Sequence, residues 1–250
     1  VTMGLLIVVL ASIFVGAVAQ RIAGLGFALL ISPFLVIILG AHEGVLMVNV
    51  CGLVSSLLIM FRVWKDVDWS MYRWLAIPAV AGSIPASIAA VFLPAAPMAV
   101  IVGAVVLVAL GASLVLARNS VVVKGNTAKA VAGFASGVTN AVAGVGGPAV
   151  SAYAVMARWP QRPFAATLQP FFVTIAAVTL AVKLTMDPSQ MPPFSFLAWA
   201  LIAAMIVGGI YAGERLQKHL RDDHVRFAVI VIAFLGAATA MVKGIFDLLG

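Results

Sequence analysis

Asn140-Ala141-Val142-Ala143-Gly144-Val145-Gly146-Gly147-Pro148 breaks a long apolar stretch in the second half of the chain. An amide opens it, a proline closes it, and no charge lies between. Glycine lets the backbone open and approach a ligand. Proline suits the first turn of a new helix, where its missing N–H costs nothing. The stretch therefore reads as one helix ending and another beginning, with free N–H groups aimed into the gap. Such helix ends bind anions through their donors and their dipole. Gln20-Arg21-Ile22-Ala23-Gly24-Leu25-Gly26 makes a similar break in the first half. Two such ends meeting at mid-depth would form an anion site.

What flanks the breaks is apolar. Of 250 residues, 64% are hydrophobic and 9% charged, and mean hydropathy is +1.19. A soluble domain carries roughly 25% charged residues, so this chain cannot clothe itself in water. Its apolar runs are long and unbroken, unlike the alternating strands of a membrane barrel. The reading is an all-α, polytopic membrane protein. Five segments come first: Leu5–Ala19, Phe27–Leu39, Val45–Phe61, Leu75–Phe92 and Met98–Leu116. Five follow: Ala130–Ala143, Ala149–Met156, Phe164–Val182, Phe196–Ala212 and Phe227–Val242. The second and seventh are short, so the count is 8–10 transmembrane helices. Either the short ones span, or the first and second, and the sixth and seventh, form re-entrant hairpins.

The first run lacks a basic leader and a cleavage site and reads as a permanent helix. Cys51 excludes an internal disulfide and a cysteine metal site, and reads as a small buried hydrophobe. A formal charge of +7 raises the question of nucleic acid. The charges are spread over short loops, which argues against it. Twelve of the 15 Lys and Arg fall in four loops, after segments three, five, seven and nine. By the positive-inside rule these loops are cytoplasmic and both termini lie outside.

Shifting the sequence by 120 residues lays Gly24-Leu25-Gly26 on Gly144-Val145-Gly146, Gln20 on Asn140, and Asn49 on Gln169. Five segments is an odd number, so the second half would insert upside down. The expected plan is two inverted membrane repeats, 1–118 and 127–250, forming one transporter domain. Inverted repeats of this kind place the substrate at the midplane between them.

The candidate substrate-binding residues are Gln20, Arg21, Gly24, Gly26, Asn49, Thr139, Asn140, Gly144, Gly146, Gly147 and Gln169. Amides inside a span donate to an oxyanion without fixing a charge; the competing role is interhelical hydrogen bonding. Arg21 either faces a cavity or an anion at mid-depth, or anchors the chain at the cytoplasmic surface. Gly16, Gly82, Gly103, Gly111, Gly208 and Gly236 read as packing glycines. Pro170 is expected to loosen the eighth helix. Five tryptophans lie near segment ends and read as interfacial belts. His42 and Glu43 read as solvated outer-loop residues. No catalytic residue, metal site or cofactor is indicated, since all three histidines fall in loops. The expected partners are a small anion and the lipid bilayer; a homodimer is plausible.

Gly24-x-Gly26 followed by Pro33, the second motif Ala143-Gly144-Val145-Gly146-Gly147-Pro148, and the Asp66-Val67-Asp68-Trp69 loop resemble the TauE/SafE sulfite-exporter-like family, also called TSUP. The resemblance spans nearly the whole chain, with Phe27 where a third glycine often stands. It implies a permease of the bacterial inner membrane for sulfite, sulfoacetate and other sulfonates, often an exporter. An anion channel or a carrier of non-sulfur carboxylates are the alternatives.

Overall fold

The computed structural model describes residues 3–23, 27–116, 122–123, 125–216 and 222–249. Gly24 and Gly26, and Arg118, Lys124, Lys218, His219 and Arg221 of the loops, lie outside the described residues.

Among the described residues there are ten α-helices and no strand. They are α1 (Met3–Ala23), α2 (Phe27–Leu39), α3 (Ala41–Val63), α4 (Trp69–Phe92) and α5 (Ala95–Leu116). The second five are α6 (Asn126–Ala143), α7 (Gly147–Met156), α8 (Gln161–Met186), α9 (Phe196–Leu216) and α10 (Asp222–Leu249). Each matches one apolar segment of the sequence. Seven are long and apolar enough to cross a membrane: α1, α3, α4, α5, α8, α9 and α10. At about 1.5 Å per residue, α2 and α7 extend only about 20 Å and 15 Å, short of a roughly 30 Å hydrocarbon core. Neither is long enough to cross the hydrocarbon core alone. The chain is a multi-pass membrane protein.

Helix α3 begins earlier than expected, at Ala41, because α2 turns into it through the single residue Gly40 at φ 100°. His42 and Glu43 thus stand in the first turn of a helix and not in a solvated loop. A side chain at Gly44 would meet the backbone of Leu35 and Val36 at 2.6–2.7 Å, so α2 and α3 lie close together. Pro170 sits inside α8 without ending it.

The helices pack in matched pairs. α4 packs on α6, and α1 on α9; α5 packs on α10, and α3 on α8. α2 also packs on α10, and α7 on α5. Small residues permit these approaches. Gly82 abuts Phe134 and Val138 of α6, and Gly209 abuts Phe14, Ala17 and Val18 of α1. Gly103 meets Ala237 and Met241, Gly16 meets Ile31, and Gly236 meets Phe34. Gly111 faces open space and Gly208 makes only an ordinary contact, so the packing role does not extend to them.

Candidate functional site

The junction between α6 and α7 organises the site. Gly144 takes the left-handed conformation, φ 71° and ψ 8°, and its N–H donates to Asn140 O at 2.8 Å. This is how a glycine ends a helix while satisfying its last carbonyls. Two buried serines pin the backbone beyond. Ser136 Oγ donates to Gly146 O, and Ser32 Oγ of α2 donates to Ala143 O at 2.5 Å. Helix α7 then starts at Gly147 with Pro148 in its first turn.

Asn140, on the last turn of α6, is 5% exposed. Its Nδ2 donates to Asn49 Oδ1 at 2.8 Å and to Thr179 Oγ1 at 3.2 Å. Asn49 Nδ2 in turn donates to Val45 O at 2.9 Å. The two amides flank a cavity of about 40 Å³. A single water needs roughly 10–15 Å³ on this measure, so the space suits one compact group. Its wall includes Gly144 and Gly146 of the junction, Gly147 at the start of α7, and Phe27, Ala28 and Leu29 of α2. First-turn N–H groups have no partner within their own helix. The first described residues of α2, the start of α7 and two amides therefore wall one small space that no charged side chain lines.

The cavity adjoins a vestibule of about 600 Å³. Gln20, Leu29, Gly147 and Phe172 line both and form the neck. Gln20 is held there by Ser55, whose Oγ donates to Gln20 Oε1 at 3.1 Å. The vestibule wall carries Arg21, Arg62, Arg162, Asp66 and Glu214. Glu214 pairs with Arg62 at 2.9 Å and with Arg21 at 3.3 Å, and Asp66 pairs with Arg162 at 3.0 Å. These side chains are 31–82% exposed, so each pair contributes only about 0–1 kcal/mol. Three arginines against two carboxylates leave the vestibule positive.

The structure thus gathers Gln20, Asn49, Asn140, Gly144, Gly146 and Gly147 around the small cavity. Arg21 stands in the vestibule wall, paired with Glu214, and neither meets the cavity nor stands alone as an anchor. Gln169 is also in the vestibule, its Nε2 bonded to Ala165 O at 3.0 Å. Thr139 bonds Ser136 O within α6 and lines neither space. Thr179, Ser32 and Ser136 were not singled out by the sequence reading. Their signal was a small hydroxyl inside an apolar run, which is common wherever membrane helices pack. Among the described residues, no three His, Cys, Asp or Glu gather closely enough to hold a metal ion.

The family model for the sulfite exporter TauE/SafE matches residues 8–240. The chain belongs to this family. No curated protein and no solved structure matches it. Membership of the TauE/SafE family, whose members are transporters, places the chain among membrane transporters. The match runs through both glycine junctions and every helix, so the site described above lies wholly within the TauE/SafE region.

Proposed function

We propose that this chain carries a compact sulfur oxyanion, sulfite or the head group of a sulfonate, outward across a bacterial inner membrane. The anion binds beside Asn49 and Asn140, and access alternates between the two faces. The basic face, with the vestibule, is cytoplasmic under this reading. The observation that carries it is the pair of buried amides walling a 40 Å³ space that Phe27 to Leu29 of α2 and the start of α7 also line. Amides present N–H₂ or C=O by turning over. An arriving oxyanion can therefore be met by donors without a fixed positive charge that would hold it too tightly to release. The positive vestibule raises the local anion concentration at the neck. A sulfonate tail would extend from the neck into the vestibule.

The packing supports two inverted repeats, 1–118 and 127–250. Exchanging α1 with α6, α2 with α7, and so on, maps α4–α6 onto α9–α1 and α2–α10 onto α7–α5. The same exchange maps α5–α10 and α3–α8 onto themselves. Such an exchange is the geometric basis of alternating access.

The test is thermal denaturation of the purified protein with sulfite, sulfate, thiosulfate, taurine, sulfoacetate and simple carboxylates. A ligand at about 100 times its dissociation constant adds about 2.7 kcal/mol of stability. Sulfite or a sulfonate is expected to raise Tm, and Asn140→Ala to abolish that rise while the variant still melts cooperatively. Stabilisation by carboxylates alone would refute the substrate class. An undiminished ligand shift in Asn140→Ala would move the site elsewhere.

A further inference from the structure

Lys183 lies in the last turn of α8, fully buried, and its Nζ has no hydrogen-bond partner. Among the described residues, no carboxylate is within ion-pair distance of it. It is one helical turn beyond Thr179, which holds the Asn140 amide, on the side away from the vestibule. Two other groups lie close by. His42, in the first turn of α3, is within electrostatic reach of both Lys183 and Asp187, and its Nδ1 is also buried without a partner. Asp187 follows α8 directly, and its N–H donates to Lys183 O at 2.8 Å. Burying an ammonium with no counter-charge within ion-pair distance is costly. A chain that keeps one in a closed place has a use for it in another state.

The vestibule indicates that state. Arg62 ends α3, Asp66 follows it in a 3₁₀ turn, and Arg162 stands in the first turn of α8. Lys183 ends α8, Asp187 caps the 3₁₀ turn that follows, and His42 stands in the first turn of α3. An offset of 120 or 121 residues carries each member of one set onto the other. Arg62, Asp66 and Arg162 are wet and line the vestibule. Lys183 is dry, and His42 is half-buried against Leu93 O at 3.0 Å.

We propose that His42, Lys183 and Asp187 line a second mouth, closed in this conformation, and that Lys183 contacts the anion as it leaves through that mouth. The proposal rests on the reading of the chain as an anion transporter. When the outer side opens, Lys183 meets water and the anion, and its charge finds the partner that the closed state withholds.

The test uses the full-length protein in liposomes with sulfite as the probe. Lys183→Met keeps the volume and removes the charge. It is expected to slow sulfite flux about tenfold or more, equivalent to roughly 1.4 kcal/mol of barrier. Sulfite should still raise its Tm, because the Asn49–Asn140 site is untouched, and Lys183→Arg should restore much of the flux. Flux at the unsubstituted rate in Lys183→Met overturns the proposal. A second measurement needs no variant: an impermeant amine-reactive reagent applied from outside, with mass spectrometry of each lysine. Lys183 is expected to label during turnover, more slowly than exposed Lys243. Complete protection of Lys183 while Lys243 labels would refute the second mouth. If sulfite fails to shift the Tm of the unsubstituted protein, the substrate reading fails, yet the labelling of Lys183 still decides whether the mouth opens.

Discussion

Helix α2 packs closely along α3, whereas α7 makes almost no close backbone contact with α8. The first pair meets through Gly44, which has no room for a side chain against Leu35 and Val36. The second pair is separated by the vestibule, with Gly147, Pro148 and Ser151 on one wall and Gln161 to Phe172 on the other. By sequence order these pairs are counterparts, α2–α3 in the first half and α7–α8 in the second. Under the proposed inverted repeat, equivalent pairs in one chain hold two different arrangements. If the halves exchange arrangements, α7 closes on α8 and α2 leaves α3. The difference between the pairs is then a description of the transport cycle.

The largest effect is expected where the open pair narrows. A Cβ at Gly147 would meet only Phe172, at 3.6 Å, which is ordinary contact. Gly147→Leu should therefore fold, with its new side chain filling the neck between cavity and vestibule. Sulfite flux should fall about a hundredfold or more, roughly 2.7 kcal/mol of barrier, with a Tm close to the unsubstituted value. Normal flux through this variant would place the path outside the α7–α8 gap.

A smaller effect is expected at the closed pair. Gly44→Ala puts a methyl group 2.6–2.7 Å from the backbone of Leu35 and Val36, where no flexible side chain can give way. Overpacking of this kind costs about 1–3 kcal/mol. Tm should drop accordingly, and the strain should favour separation of α2 from α3. An unchanged Tm would mean that α2 already moves freely, and the contrast between the pairs would lose its meaning.

Much of this arrangement was legible in the sequence. All ten apolar segments are helices, and the second glycine break falls at Gly144–Gly146, as the proline and glycine chemistry required. Gln20, Asn49 and Asn140, which line the cavity, stand out in the sequence because amides are rare inside apolar runs. Gln169 passed the same test but lies about 15 Å along α8 from Thr179 at 1.5 Å per residue. Depth along a helix is not written in a residue's type. His42 and Glu43 read as a loop because polarity suggested solvent, while the one-residue turn at Gly40 depends on a tertiary contact. Lys183 was overlooked because it borders a loop, where a lysine is ordinary. Only the packing of neighbouring elements on α8 buries it.

The smallest effect separates the two 3₁₀ turns that follow the paired helices. Asp66 is tied across to Arg162 on another helix, whereas Asp187 is held mainly by its own turn. Asp187 Oδ1 accepts from Ser189 Oγ at 2.5 Å and from Ser189 N at 3.1 Å, and Oδ2 accepts from Gln190 Nε2 at 3.1 Å. The Ser189 hydroxyl foremost, then Gln190, with a smaller contribution from the charge of His42, hold the Asp187 carboxyl below an aspartate's ordinary 3.8. A carboxyl whose pKa is lower folded than unfolded stabilises the fold fully above the unfolded value. That contribution disappears as pH falls through the folded value. The unsubstituted protein should thus lose Tm on acidification below 3.8, and Asp187→Asn should lose less over the same window. Asp187 is only partly buried and its charge is screened by solvent, so the difference between the two curves will be small. Superimposable acid profiles would mean that the turn is not held by this carboxylate. The end of α8 would then have to be fixed by the packing around Lys183 alone, and the closed mouth would be a matter of apolar contact and not of its charges.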